Sequence, residues 1–188
     1  MARTGYFIEN QSEPHFLTFQ VVGWVDVFTR TAYADMIIDS FRYCRENLGL
    51  RIHAYVIISN HIHCILSSEN RDLITTIGRF KEFTSKKIIK SITEETESRK
   101  EWMLPIFEKA ASQHVRNAKY QFWTHNNQPK EIETFDFMRQ KANYIHDNPV
   151  NAGLVREPHH WVYSSASNYA GELSVLQVDV FEELVQDG

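Results

Sequence analysis

Two cysteines among 188 residues, Cys44 and Cys64, cannot supply a disulfide framework. A packed core must therefore hold the chain together, and a reducing cytoplasm is the expected compartment. Five prolines and seven glycines are too few for a linker-rich or repetitive protein. Long apolar runs are missing too. The longest, around residues 54–58, falls far below the ~20 residues of a bilayer-spanning helix, so no membrane association is expected. The opening MARTGYFIEN has neither the apolar core nor the cleavage site of a secretory leader. What is present is ordinary: 43% hydrophobic and 23% charged residues, enough for one domain with a single substantial core. Residues 1–170 are expected to form that domain, with residues 171–188 as an acidic tail packed on it or extending from it.

A surplus of positive charge is also lacking. The net charge of −4, taken alone, argues against a nucleic-acid partner. The distribution alters that reading. The tail holds five acids (Glu172, Asp179, Glu182, Glu183, Asp187) and no Lys or Arg. Without it, 20 bases face the remaining 19 of 24 acids. Within residues 79–90, Arg79, Lys81, Lys86, Lys87 and Lys90 stand against Glu82 alone. A local basic face can follow phosphates whatever the total charge. Composition permits a nucleic acid without indicating one.

Aromatic and β-branched residues at 15–24 predict a first strand. Met36, Ile37, Phe41, Cys44 and Leu48 recur at helical spacing, and Gly49 ends that helix. Residues 52–58 and 61–67 predict two strands joined by a tight turn at Ser59-Asn60. A second helix follows, with Leu73, Ile77, Phe80, Thr84 and Ile88 as its apolar stripe. Residues 93–116 are expected to extend that helix and then form a short second one. Residues 119–125 predict a further strand. A last long helix is expected over 131–146, ending at Asn148-Pro149 because the residue before proline disfavours helix. The order strand, helix, two strands, helix, strand predicts an α+β fold, a ferredoxin-like sandwich of an antiparallel sheet with helices packed on it.

One stretch stands out chemically: Asn60-His61-Ile62-His63-Cys64. Side chains alternate along a strand, so His61 and His63 share one face while Ile62 and Cys64 share the other. Paired imidazoles suit a divalent metal better than a dry core. An H-x-H pair taken alone is nonetheless more often structural. Tyr144 and Asn148 sit four residues apart, on one face of a helix that includes Phe137 and Lys141. A phenol there is a potential nucleophile, and a carboxamide oxygen a potential third ligand beside the two imidazoles. Cys64 reads as a buried thiol, His146, His159 and His160 as surface residues, and Trp161, Tyr163, Ser164 and Ser165 as packing and capping for the C-terminal segment.

The segments AYVIISNHIHCIL (54–66), YIHDNPVNAGLV (144–155) and HWVYSSASNYAG (160–171) together resemble the single-tyrosine HUH transposase family, most nearly its REP-associated branch. HUH denotes His, a hydrophobic residue, His. The likeness runs from about the first strand to the tail. Two positions depart from it: Ser59 stands where the family usually has proline, and Asn151 where it often has arginine. The resemblance implies that His61, His63 and Asn148 bind Mg²⁺ or Mn²⁺ and that Tyr144 is the catalytic nucleophile. It implies a partner, single-stranded DNA with a hairpin, cut and rejoined through a 5′-phosphotyrosine by a monomer or homodimer. It also places Arg79, Lys81, Lys86 and Lys90 on a DNA-contacting helix. Two other functions remain open: a catalytically silent hairpin-binding protein, and a phosphoesterase using the H-x-H pair with water.

Overall fold

The computed structural model describes residues 8–113, 119–125 and 127–185. Four antiparallel strands, β1 (His15–Gln20), β2 (Leu50–Ile57), β3 (His61–Ser68) and β4 (Lys130–Glu131), pair in the order β2-β3-β1-β4. Between β1 and β2 runs α1 (Thr31–Leu48), and α2 (Leu73–Glu94) and α3 (Lys100–Ser112) follow β3. The last long helix, α4 (Phe135–Asn151), follows β4. Among the described residues, no helix is long and apolar enough to cross a membrane.

The sheet separates two apolar layers because its strands alternate. Leu17, Phe19, Ile62, Cys64 and Leu66 join the larger core with residues of α1, α2 and α3. Phe16, Val56 and Ile65 join the smaller one with Met138, Ala142 and Ile145 of α4. A register shift between Ile52 and Ala54 lets Ile52 and Tyr55 both serve the larger core. The outer edge of β2 is covered. Tyr163 and Ser165 exchange backbone bonds with Ile57 and Tyr55, and Asp179 bonds both the N–H and the carbonyl of Ile52. Leu176 and Val178 of the acidic tail are buried, and Arg45 pairs with Asp179 at 3.0 Å.

The first helix stops as expected. Gly49 takes a left-handed φ of 65° and its N–H closes on the Cys44 carbonyl, a conformation glycine adopts without a Cβ penalty. The α2 stripe is buried throughout, from Leu73 to Ile88. Three expectations need correction. The first strand ends at Gln20, and Val22–Trp24 forms a 3₁₀ turn instead. Residues 119–125 form no strand: only an isolated bridge, Val21 to Trp123, joins them to the β1 end. Phe122 and Trp123 are core residues there, so burial rather than pairing explains their apolar run.

The last helix begins later and ends later than expected. Lys130 and Glu131 pair with β1, and the Thr134 hydroxyl caps α4 by accepting from the Phe137 N–H. Pro149 sits inside the final turn, buried, and the helix continues to Asn151. A proline so near the end removes a single intrahelical bond, and burial of its ring offsets that loss. The 93–116 segment contains the end of α2 and most of α3; residues 114–116 lie outside the described residues.

Candidate active site

The histidines stand on β3, the central strand between β1 and β2, on the face turned toward α4. His63 pairs across the sheet with Thr18 and Val56, and His61 with Gln20. Their ring centroids are 4.6 Å apart. On α4, Met138, Ala142, Ile145 and Pro149 form the buried stripe. One residue back along the chain, Phe137, Lys141, Tyr144 and Asn148 repeat the same spacing and form the stripe flanking it. That flank brings Tyr144 to the sheet. Its hydroxyl is 3.4 Å from His63 Nε2, and its ring centroid is 5.2 Å from that of His63.

Each imidazole has its Nδ1 occupied. Thr18 Oγ1 lies 2.9 Å from His63 Nδ1, and Asn60 Oδ1 lies 2.8 Å from His61 Nδ1. The Asn60 contact fixes a tautomer. Its Nδ2 donates to Asp26 Oδ1 at 2.9 Å and to the Trp24 carbonyl at 3.3 Å. The amide oxygen therefore faces His61 and accepts its Nδ1–H, leaving the Nε2 lone pair free. Burial pushes both imidazoles toward the neutral form. His63 is driven down to about 3 by burial and by the nearby His61 and Lys141, and burial lowers His61 as well. A neutral imidazole is the form that ligates metal; His61 presents an Nε2 lone pair, and His63 turns its Nε2 to the Tyr144 hydroxyl.

Aromatic groups frame the pair. Phe16 stacks on His63 at 5.6 Å and meets Tyr144 edge-on at 6.0 Å. The Lys141 ammonium lies 4.7 Å from the centre of the Phe16 ring and 5.6 Å from that of Tyr144, a cation beside the phenol. Tyr144 remains 45% exposed, so its oxygen is open to a large substrate. Asn148 follows it by one helical turn and is half-buried. Among the described residues, no three or more His, Cys, Asp or Glu side chains gather into a metal-binding group. A metal here would have to complete its shell with the Asn148 carboxamide, water or substrate oxygens.

The basic helix divides in two. Arg79, Lys86 and Lys90 are exposed on α2, the layer opposite α4. Lys86 and Lys90 pair with Glu82 and Glu94 one turn away. Lys81 is set apart from that stripe. Its ammonium donates to the Thr124 carbonyl at 2.8 Å and to Asn127 Oδ1 at 2.9 Å. Burial lowers its pKa to about 8, and its place is that of a strut under Thr124 and Asn127.

Two other sequence readings fare differently. Cys64 is wholly buried in the larger core, and burial raises its thiol strongly. His146, expected at the surface, instead packs against Tyr169 and shares a 2.9 Å hydrogen bond with Ser165; burial lowers it to about 4. Its helix turns that side chain toward the segment covering β2. Sequence reasoning missed Thr18, Asp26 and Phe16, and gave Asn60 no role. Only the Asn60-His61 adjacency carried a local signal.

Among solved structures, the fold matches a REP-associated tyrosine transposase bound to a REP hairpin, with a TM-score of 0.63 over 95% of this chain and 92% of that one. The chain folds like that transposase. Sequence identity is 16%, so the likeness to the transposase is one of architecture. No family model and no curated protein matches the sequence.

Proposed function

We propose that this protein is a metal-dependent strand-transfer enzyme of the HUH transposase type, a ferredoxin-like sandwich that cleaves and rejoins single-stranded DNA beside a hairpin. The observation that carries this reading is the Tyr144 hydroxyl, exposed and 3.4 Å from His63 Nε2 within one chain. His61 and His63 would hold Mg²⁺ or Mn²⁺ through their Nε2 atoms, with Asn148 as a further oxygen donor. When bound, the cation supplies charge that polarises a phosphodiester and absorbs developing negative charge.

The chain's own groups do the rest. Tyr144 loses its proton to solvent as its oxygen attacks phosphorus. The bond from phosphorus to the 3′ oxygen breaks, and that oxygen leaves as a hydroxyl after taking up a proton. A 5′-phosphotyrosine remains, which keeps the bond energy for rejoining. The Lys141 ammonium, 5.6 Å from the centre of the Tyr144 ring, offers a positive charge to the phosphate under attack. Asn60 and Thr18 hold the two imidazoles in register for their task. On the opposite layer, Arg79, Lys86 and Lys90 offer phosphate contacts to the hairpin stem.

The phosphoesterase alternative would need further carboxylate or imidazole ligands, and none gathers there among the described residues. Incubation with labelled hairpin DNA carrying a single-stranded flank, in Mn²⁺ or Mg²⁺, followed by denaturing electrophoresis tests the reading. A covalent adduct whose labelled peptide contains Tyr144 is expected. Hairpin binding without any adduct would instead establish the catalytically silent alternative.

A further inference from the structure

Next to His61 lies a residue that folding does not explain. Trp24 is 62% exposed and its backbone has φ 56°. The preceding Gly23 is also left-handed, at φ 66°. A Cβ at position 23 would come within 2.6 Å of Ile106 Cγ2, so glycine there is accounted for. Position 24 asks for Gly or Asn by the same backbone rule. It holds instead the largest side chain, in a conformation bulky residues avoid, with most of its surface in water. The left-handed turn aims the Trp24 carbonyl at Asn60 Nδ2, and a glycine would aim it equally well. The indole itself has another use.

The backbone that carries that indole is held in place. Val21 N–H bonds the Asn60 carbonyl at 2.9 Å, Val22 N–H the Phe122 carbonyl at 2.9 Å, and Phe28 N–H the Ser59 carbonyl at 2.8 Å. Val21, Val22, Val25 and Val27 are all buried. The loop is thus bolted to the core on both sides of an exposed ring. The ring meets His61 edge-on, with centroids 6.4 Å apart, so its open surface lies beside the histidine pair.

We propose that Trp24 is a stacking platform for one nucleobase of the single strand lying at His61 and His63. This rests on the strand-transfer reading and adds to it a residue that sets which nucleotide sits beside the scissile phosphate. A flat apolar ring on a loop anchored at the edge of a nucleic-acid site binds a base by its π-face, and the loop loses little freedom in doing so. Every base has such a face, so the platform fixes position rather than sequence.

The test uses the full chain and a fluorescent hairpin oligonucleotide with a single-stranded flank. Trp24→Ala should lower affinity roughly 5- to 100-fold, and Trp24→Phe should retain most of it. Trp24→Gly relieves the backbone, so its melting temperature should equal or exceed that of the wild type while DNA affinity falls as for Ala. Mn²⁺ titration should be unchanged in all three. An abasic site is then walked along the flank. One position should cost the wild type as much as Trp24→Ala does, and the two losses should not add. Unchanged affinity in Trp24→Gly, or additive losses at every abasic position, would overturn the platform while leaving the Tyr144 adduct intact. Failure of the wild type to bind or to form that adduct would overturn the reading beneath it.

Discussion

At Tyr144 a ring and an oxygen do different work. The ring packs edge-on to Phe16 and His63, whereas the oxygen is the nucleophile of the proposed reaction. Tyr144→Phe should therefore keep stability within about 1 kcal/mol of the wild type in thermal melts and keep hairpin binding, yet abolish the adduct. Cleavage by Tyr144→Phe at the wild-type rate would sink the tyrosine mechanism. Asn60 acts one step back. Asn60→Ala removes the acceptor that holds His61 Nδ1–H, so Mn²⁺ affinity measured by calorimetry should fall about 10- to 100-fold. An affinity equal to wild type would show that the tautomer needs no such hold.

Elements bring their own tests. On α2, Lys86 and Lys90 are exposed and pair with neighbouring glutamates. Such surface pairs are worth under about 1 kcal/mol, so either lysine exchanges its partner for a phosphate at little cost. Replacing both with alanine should reduce the salt dependence of hairpin binding, by roughly one in the log–log slope for each phosphate no longer neutralised. An unchanged slope would make the stripe a solvated face. The joint between α2 and α3 is different, because Glu97 is buried there among Arg30, Arg99 and Tyr33.

Burial raises the Glu97 carboxyl, but hydrogen bonds from Arg99 and Tyr33 outweigh it and bring it to about 2. A carboxylate lowered on folding stabilises the protein above the ordinary carboxylate range and loses that contribution as pH falls toward 2. Arg99 also donates to the Asp26 carbonyl and the Thr29 hydroxyl at 2.8 Å, so this cluster braces the loop that carries Trp24. Glu97→Gln should cost about 2–3 kcal/mol near neutral pH, and that difference from wild type should shrink in acid melts as pH approaches 2. A constant difference across that range would contradict the assignment.

For the whole molecule, the decisive fact is that α4 packs on the same face of the sheet that carries the histidines, within one chain. A partner subunit is therefore not needed to bring phenol and imidazoles together. Mixing Tyr144→Phe with His61→Ala protein should leave cleavage absent, since neither chain then holds a complete site. Restored cleavage would mean that α4 exchanges between protomers. The exposed α2 cations and the histidine site lie on opposite layers, so a bound hairpin must reach around a sheet edge to engage both. A DNA footprint extending over both layers is the corresponding expectation.

The sequence by itself determined the local matters. Periodicity set the buried stripes of α1 and α2, Gly49 set a helix end, and strand alternation put His61 and His63 on one face away from Cys64. These follow from bond geometry that a few neighbouring residues impose. Pairing and burial across the chain were decided only by the tertiary structure. Residues 119–125 look like a strand because Phe122 and Trp123 are apolar, yet they fill the core. Lys81 looks like its exposed neighbours, yet Thr124 and Asn127 close over it. Asp26, Asn60 and His61 become one hydrogen-bonded chain only when the 3₁₀ turn after β1 docks on the β2–β3 hairpin. Contacts between residues 34 positions apart leave no local periodic trace, because nothing in the chain between them has to repeat for the contact to form.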